Sequence, residues 1–231
     1  MNAQISIIIP ALNEAESIGH VVRSMPWHLI AECIVVDNGS TDGTATIAAF
    51  EGARIINSPR GYGAACLAGS NAALSTSTIL VYMDGDGSDI LDDLPRLIDP
   101  ILANQADFVI GSRIRGTREP GSMLPSQVFA GQLVGILLRL ALGVRYTDMG
   151  PFRAIRRTSL DQLQMQERTY GWNLEMQIKA AKQKLRILEI PVDYRHRIGG
   201  TSKVSGNLRT SLQAAIRILQ VLVRVTSSRP R

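Results

Sequence analysis

Short apolar runs recur through the first half of the chain, at Ile5–Ile9, Cys33–Val36, Arg54–Ile56, Ile79–Met83 and Phe108–Ile110. Their apolar positions are continuous rather than alternating, which is the pattern of strands covered on both faces. Between the runs the period changes to that of a helix. Ile18, Val21 and Val22 form one apolar face, with Asn13 as a predicted cap, Glu16 as its capping-box partner and Pro26 as the stop. Further helices are predicted at about 41–50, 63–74 and 90–103. The 63–74 stretch is rich in Ala and Gly, as close packing on a sheet requires. This strand–helix alternation predicts an α/β fold, a Rossmann-like doubly wound and mostly parallel sheet.

The second half is patterned differently. A Pro- and Gly-rich loop, "REPGSMLPS" (118–126), precedes an apolar helix predicted at 126–142. A short strand near Phe152–Arg156, a helix near 171–183 and a strand at Arg186–Val192 follow. On the 171–183 helix, Trp172 and Met176 read as core, and Glu175 as an acid paired with Lys179 one turn on. After the basic loop "YRHRIGGTSKVSG", Leu208, Leu212, Ala215, Ile216, Leu219, Leu222 and Val223 mark one face of a final amphipathic helix. The expected division is therefore a catalytic domain over 1–206 and a C-terminal amphipathic helix and tail over 207–231.

Composition narrows the partners. The 231 residues are 45% hydrophobic and 19% charged, enough to bury a sizeable core, and the net charge is +5. A basic chain favours phosphates, acidic lipids or nucleic acid. Nucleic acid is disfavoured, because aromatics are only 5% and are not interleaved with the basic residues. Cys33 and Cys66 offer neither a disulfide framework nor a metal spacing, so buried thiols in a reducing compartment are expected. The opening "MNAQISIIIP" lacks the basic start and cleavage site of a signal peptide. No window of roughly 18 uninterrupted apolar residues, the length of a membrane span, is found.

The polar clusters fall where strands end: "PALNEAE", "DNGSTDGT", "SPRGYGAA" and "DGDGSD". Sheets of this class bind ligands beyond the carboxyl ends of their strands. Asp84 and Asp86 lie two apart, so in an extended segment both carboxylates point the same way. That arrangement suits a divalent cation that keeps other positions for water and phosphate oxygens. Asp89 fits a cap for the helix that follows. Asp37 suits a base or ribose contact, with Ser40 or Thr41 capping the next helix. Arg60, Gly61 and Gly63 fit either a phosphate-holding turn or a tight turn with close packing; no GK[ST] follows, so it is not a P-loop. Arg195, His196, Arg197 and Lys203 make the late basic loop either a lid over a diphosphate or a solvated surface loop, with His196 structural or exposed.

In order and spacing, "SIIIPALNEAESI", "CIVVDNGSTDGT", "RGYGAACLAG" and "VYMDGDGSD" resemble the nucleotide-sugar half of family-2 glycosyltransferases, with the GT-A fold. Downstream, "FVIGSR", "TDMGPFRAIRR", "GWNLEMQIKA" and "EIPVDYRHRIGGTSKVSG" resemble the branch of dolichyl- and polyprenyl-phosphate mannosyl- and glucosyltransferases. The resemblance spans about residues 4–206. It implies an inverting, metal-dependent enzyme that moves a hexose from a GDP-mannose- or UDP-glucose-type donor to polyprenyl phosphate. The alternative is the same fold acting on a soluble hydroxyl acceptor, a glycan or small metabolite. By resemblance, Pro10, Ala11, Asn13 and Glu14 line the nucleotide pocket, Asp37 contacts the base, and Gly63 lets its loop pack nearby. Asp84 and Asp86 become the pair that meets Mg²⁺ or Mn²⁺, and Arg113, Arg197 and Lys203 hold phosphates. A hydroxyl acceptor would need a general base, for which Asp89 and Asp148 are available. The apolar helices at 126–142 and 207–225 fit a peripheral membrane contact, a membrane subunit or a homo-oligomer. The expected location is cytoplasmic, peripheral to the membrane if the acceptor is a lipid. A nucleotidyltransferase is disfavoured, since "PALNEAE" has neither glycine nor lysine.

Overall fold

The protein is described as a computed structural model over residues 4–200. In chain order the elements are β1 (Gln4–Ala11), α1 (Ala15–Arg23), β2 (Glu32–Asp37), α2 (Thr44–Phe50), β3 (Arg54–Asn57), α3 (Tyr62–Ala72) and β4 (Ser77–Tyr82). A short 3₁₀ turn (Leu91–Asp93) leads into α4 (Leu94–Leu102). Then come β5 (Phe108–Ser112), α5 (Pro125–Leu142), β6 (Arg153–Arg156), α6 (Arg157–Leu163), α7 (Trp172–Lys182) and β7 (Ile187–Pro191). The final helix predicted at 207–225 and Lys203 lie outside the described residues.

Seven strands form one sheet in the order β3-β2-β1-β4-β6-β5-β7. The continuous apolar runs are its central strands, and their side chains alternate between two cores. Ile7, Ile9, Val35, Val81 and Val109 pack under α1 and α4. Ile8, Ile34, Val36, Leu80, Tyr82 and Ile110 pack with Trp172, Met176 and Cys66 on the other face. Burial of each such side chain contributes about 1.5–3 kcal/mol. Both cysteines are free and buried, as expected.

The sheet is mixed rather than uniformly parallel. β6 runs antiparallel between β4 and β5, pairing Arg153 with both Tyr82 and Ile110. A four-residue strand carries too little pattern to announce its direction. The reversal matters, because it puts the residues before β6 at the carboxyl ends of the parallel strands. Residues 147–152 thereby join the loops after β1, β2, β4 and β5 at one end of the sheet.

Several local expectations are corrected. Asn13 does not cap α1: it has φ 51°, and Glu14 is the cap residue, without a side-chain cap bond. Glu16 bonds instead to the Gly200 amide at 2.7 Å. Ser40 and Thr41 do not cap α2, whose cap residue is Gly43 at φ 88°. Asp42 takes the nearby duty, accepting the Thr44 amide at 3.1 Å. α5 is long and apolar enough to cross a membrane by length and composition, although Gln132 and Arg139 interrupt its apolar run. On α7, Trp172 and Met176 are core, and Glu175 pairs with Lys179 at 3.0 Å, as predicted.

Candidate active site

A cavity of ≈ 900 Å³ opens at the carboxyl ends of the strands. Its walls come from the loops the sequence singled out and from the segment before β6. Pro10, Ala11 and Glu14 line it after β1, Asp84 and Asp86 after β4, Arg113 after β5, and Arg197 from the late basic loop. Asn38, Arg60, Met149, Tyr170 and Asn173 complete the lining.

The aspartates sit in a tight turn. Asp86 Oδ1 accepts the Ser88 amide at 2.9 Å and the Ser88 hydroxyl at 2.6 Å. Its Oδ2 accepts from Arg197 Nη2 at 2.9 Å. Among the described residues, none donates a hydrogen bond to the Asp84 carboxylate. Burial, then the neighbouring Asp86 and Asp89 charges, hold Asp84 well above the usual carboxylate range. Burial likewise pushes Asp89 up to about 7, against the pull of the Asp84 amide.

Asp89 is not a helix cap, nor does it reach the cavity. It is 3% exposed, its Oδ2 accepts the Asp84 amide at 3.0 Å, and its Oδ1 is buried with no hydrogen-bond partner among the described residues. It braces the backbone beneath Asp84. Asp148, the other base considered, is buried and committed to Arg113. Arg113 donates to it from Nε at 2.7 Å, from Nη2 at 2.8 Å and from its own amide at 3.0 Å. The Arg113 guanidinium also stacks over Tyr194, 5.0 Å from the ring centre. The Arg113 side chain therefore faces the cavity as half of an ion pair rather than as a free phosphate ligand.

Three predicted nucleotide residues lie behind the wall rather than on it. Asn13 ties two loops together: its amide donates to Ser40 Oγ at 3.0 Å, and its Oδ1 accepts the Thr41 amide at 2.9 Å. Asp37 turns to the Ser40 amide at 2.9 Å, and the next residue, Asn38, faces the cavity instead. Gly63 serves close packing: a Cβ there would stand 2.3 Å from the Glu167 carbonyl oxygen. The amides at the start of α3 are used by the protein, Gly63 and Ala64 bonding to the Thr169 and Arg168 carbonyls at 3.2 and 2.9 Å. Of the two readings of "RGYG", the tight turn is the one built. His196 is exposed; its ring bonds to the Pro120 carbonyl.

Sequence reasoning passed over Tyr62, Asn173 and Tyr194. Tyr62 stands between two glycines, Asn173 lies in the first turn of α7, and Tyr194 follows β7, which runs parallel to β5.

The description "Glycosyl transferase family 2" matches residues 6–164, more than half of the chain. The chain belongs to glycosyl transferase family 2. An uncharacterized glycosyltransferase of Mycobacterium bovis is 37% identical to it over 225 residues, covering 94% of this chain and 97% of that protein. The undecaprenyl-phosphate mannosyltransferase of Micrococcus luteus is 31% identical over 221 residues, 87% of each chain. Among solved structures, glucosyl-3-phosphoglycerate synthase from Mycobacterium tuberculosis, in complex with Mn²⁺, UDP-glucose and phosphoglyceric acid, superposes with a TM-score of 0.74 at 23% identity. That match covers 99% of this chain and 81% of the other. It shows a shared α/β fold of the GT-A kind. As a family-2 enzyme the protein is a glycosyltransferase.

Proposed function

We propose that this glycosyltransferase moves a hexose from a nucleoside-diphosphate sugar to a polyprenyl phosphate, with inversion. The observation that carries the acceptor is the state of Asp148, which is locked by three hydrogen bonds from Arg113. Burial pushes its carboxyl up, but the Arg113 charge and hydrogen bonds outweigh burial and hold it below the usual range. A carboxylate so stabilised is a poor proton acceptor. With Asp89 buried away from the cavity, neither base candidate is placed to deprotonate a hydroxyl. A phosphate acceptor needs no such step, being already an anion. One of its oxygens forms the new bond to the anomeric carbon as the bond from that carbon to the donor diphosphate breaks. The electron pair leaves with the diphosphate. The named activity of the Micrococcus relative is of this kind. The likeness to glucosyl-3-phosphoglycerate synthase carries the fold and leaves the acceptor open.

Pro10, Ala11, Glu14 and Asn38 are assigned to the nucleotide, and Arg60 and Arg197 to its phosphates, with Arg113 held beside them by Asp148. Asp84 and Asp86 fit a divalent cation, Mg²⁺ or Mn²⁺. Burial, and then the Asp86 and Asp89 charges, raise the Asp84 carboxyl well above the usual range, and a cation relieves the repulsion among the three. Among the described residues no three His, Cys, Asp or Glu side chains form a metal cage. Diphosphate oxygens and water would then complete the coordination shell. When bound, the cation supplies charge neutralisation for the leaving diphosphate.

Incubation with UDP- and GDP-hexoses, Mn²⁺ and either undecaprenyl phosphate or a soluble hydroxyl acceptor tests this reading. The expected product partitions into organic solvent and carries the sugar on its phosphate. Transfer to the water-soluble acceptor alone would overturn the assignment.

A lipid acceptor requires a surface that meets a bilayer, and α5 supplies one. Phe129, Leu133, Ile136 and Leu140 share one face and are 68%, 46%, 57% and 80% exposed. α5 carries no acidic residue and has Arg139 in its last turn. Leu124 and Gln127, at its start, line the cavity, so the apolar face runs up to the site. Apolar area beside basic residues is what an anionic bilayer surface binds. In flotation with anionic vesicles, the double variant Ile136→Glu, Leu140→Glu is expected to bind about tenfold more weakly than the parent protein. Unchanged flotation assigns the stripe to something other than lipid.

A further inference from the structure

The late basic loop is strapped across the aspartate turn at several points. The Arg195 amide donates to the Ser88 carbonyl at 3.1 Å, and Arg195 Nε to the Gly87 carbonyl at 2.7 Å. The Ile198 amide donates to the Asp86 carbonyl at 2.9 Å, and the Gly200 amide to Glu16 at 2.7 Å. Gly87, at φ 77°, lies so close under Ile198 that a Cβ would meet its side chain at 2.4 Å. This strap brings Arg197 onto Asp86, where Nη2 takes Oδ2 at 2.9 Å while Ser88 holds Oδ1. Both oxygens of a carboxylate assigned to the cation are thus occupied by the protein. The other arm of the same guanidinium, Nη1, is buried and has no hydrogen-bond partner among the described residues.

We infer that the Arg197 guanidinium stands in for the divalent cation at Asp86, and that it leaves this carboxylate for the donor diphosphate when the cation arrives. The inference rests on the donor reading above and concerns how that site loads. A guanidinium and a divalent cation compete for one carboxylate oxygen, so the free ion binds weakly against Arg197. A metal–diphosphate complex brings both halves of the exchange: the cation for Asp86, and phosphate oxygens for the guanidinium, whose planar fork suits them. The protein therefore takes its cation together with the nucleotide, and an unloaded site avoids the repulsion of bare carboxylates. The partly exposed pair, with 32% of the Arg197 side chain accessible, is weak enough to exchange.

Two titrations of Arg197→Gln against the parent protein decide the matter: Mn²⁺ alone, followed by electron paramagnetic resonance of the free ion, and UDP or GDP at saturating Mn²⁺, followed by calorimetry. The variant is expected to bind Mn²⁺ alone roughly tenfold more tightly and the nucleotide roughly tenfold more weakly. Opposite signs are the signature, since a merely structural role would weaken both. Arg195→Gln removes the same charge from the same strap without touching Asp86, and is expected to shift Mn²⁺ affinity less than threefold. Unchanged Mn²⁺ affinity in Arg197→Gln, or an equal gain in Arg195→Gln, overturns the stand-in. Should neither protein bind nucleotide with Mn²⁺ at all, the donor reading falls together with the inference; failure of the lipid-acceptor assay touches neither titration.

Discussion

Replacing Asp86 with alanine is expected to lower sugar transfer by about a thousandfold while the protein stays folded. The activity loss follows from charge. Sugar transfer adds a further negative charge to the donor diphosphate as its bond to the anomeric carbon breaks, and Asp86 is assigned to the cation that neutralises it. The fold survives because what Asp86 holds is local. It closes a two-residue turn on Ser88 and meets Arg197. Arg197 remains partly exposed and keeps water on release. Losing a carboxylate from the crowd around Asp84 also relieves repulsion, which offsets part of the lost pair. Asp86→Asn separates the two duties: the amide oxygen still accepts from Ser88, but the charge is gone. It is expected to lose transfer nearly as fully as alanine does, with a melting temperature closer to the parent's. Transfer rates and thermal melts of both variants, measured with saturating donor and Mn²⁺, check this. Asp86→Ala activity within tenfold of the parent would remove the aspartate pair from the chemistry.

Much of this arrangement was legible in the sequence, because the central strands are buried on both faces. Such strands must be continuously apolar, and the polar residue ending each run must lie at the ligand-binding edge. That physics puts Asp84 and Asp86 at this edge, whereas Pro10 and Glu14 are singled out by the family resemblance. Asn13, Asp37, Asp89 and Gly63 all lie at this edge, with their hydrogen bonds or close packing directed to the loops. Asx side chains satisfy backbone amides as readily as ligands, and no pattern along the chain says which oxygen turns which way. Asn13 is the clearest case: a good cap by type and spacing, it is drawn to the Thr41 amide by a partner 28 residues away. β6 shows the other limit. Four residues, Arg153–Arg156, say nothing of direction, and it is direction that carries Asp148 and Met149 into the site.

Asp148→Asn is expected to cost about 3 kcal/mol of stability, lowering the melting temperature by roughly 6–12 °C, because it leaves the Arg113 charge half-buried without its counter-ion. Asp148 is 4% exposed, and the Arg113 side chain 16%. The pH dependence gives the sign. Burial raises the Asp148 carboxyl, but Arg113 draws it down further, so its folded pKa lies below the unfolded value. A depressed carboxylate contributes stability above its unfolded pKa and loses it as pH falls through the folded one. The gap between parent and variant should therefore be full at neutral pH and close in acid below about pH 4. Catalysis separates this role from that of a general base. Were Asp148 to deprotonate the acceptor, the amide would remove about a hundredfold or more of kcat even in well-folded protein. As a counter-ion that positions Arg113, it should leave kcat within about tenfold when assayed far below the melting temperature. A kcat loss beyond a hundredfold in folded Asp148→Asn, with the melting temperature little changed, would make Asp148 the base and move the acceptor from a phosphate to a hydroxyl.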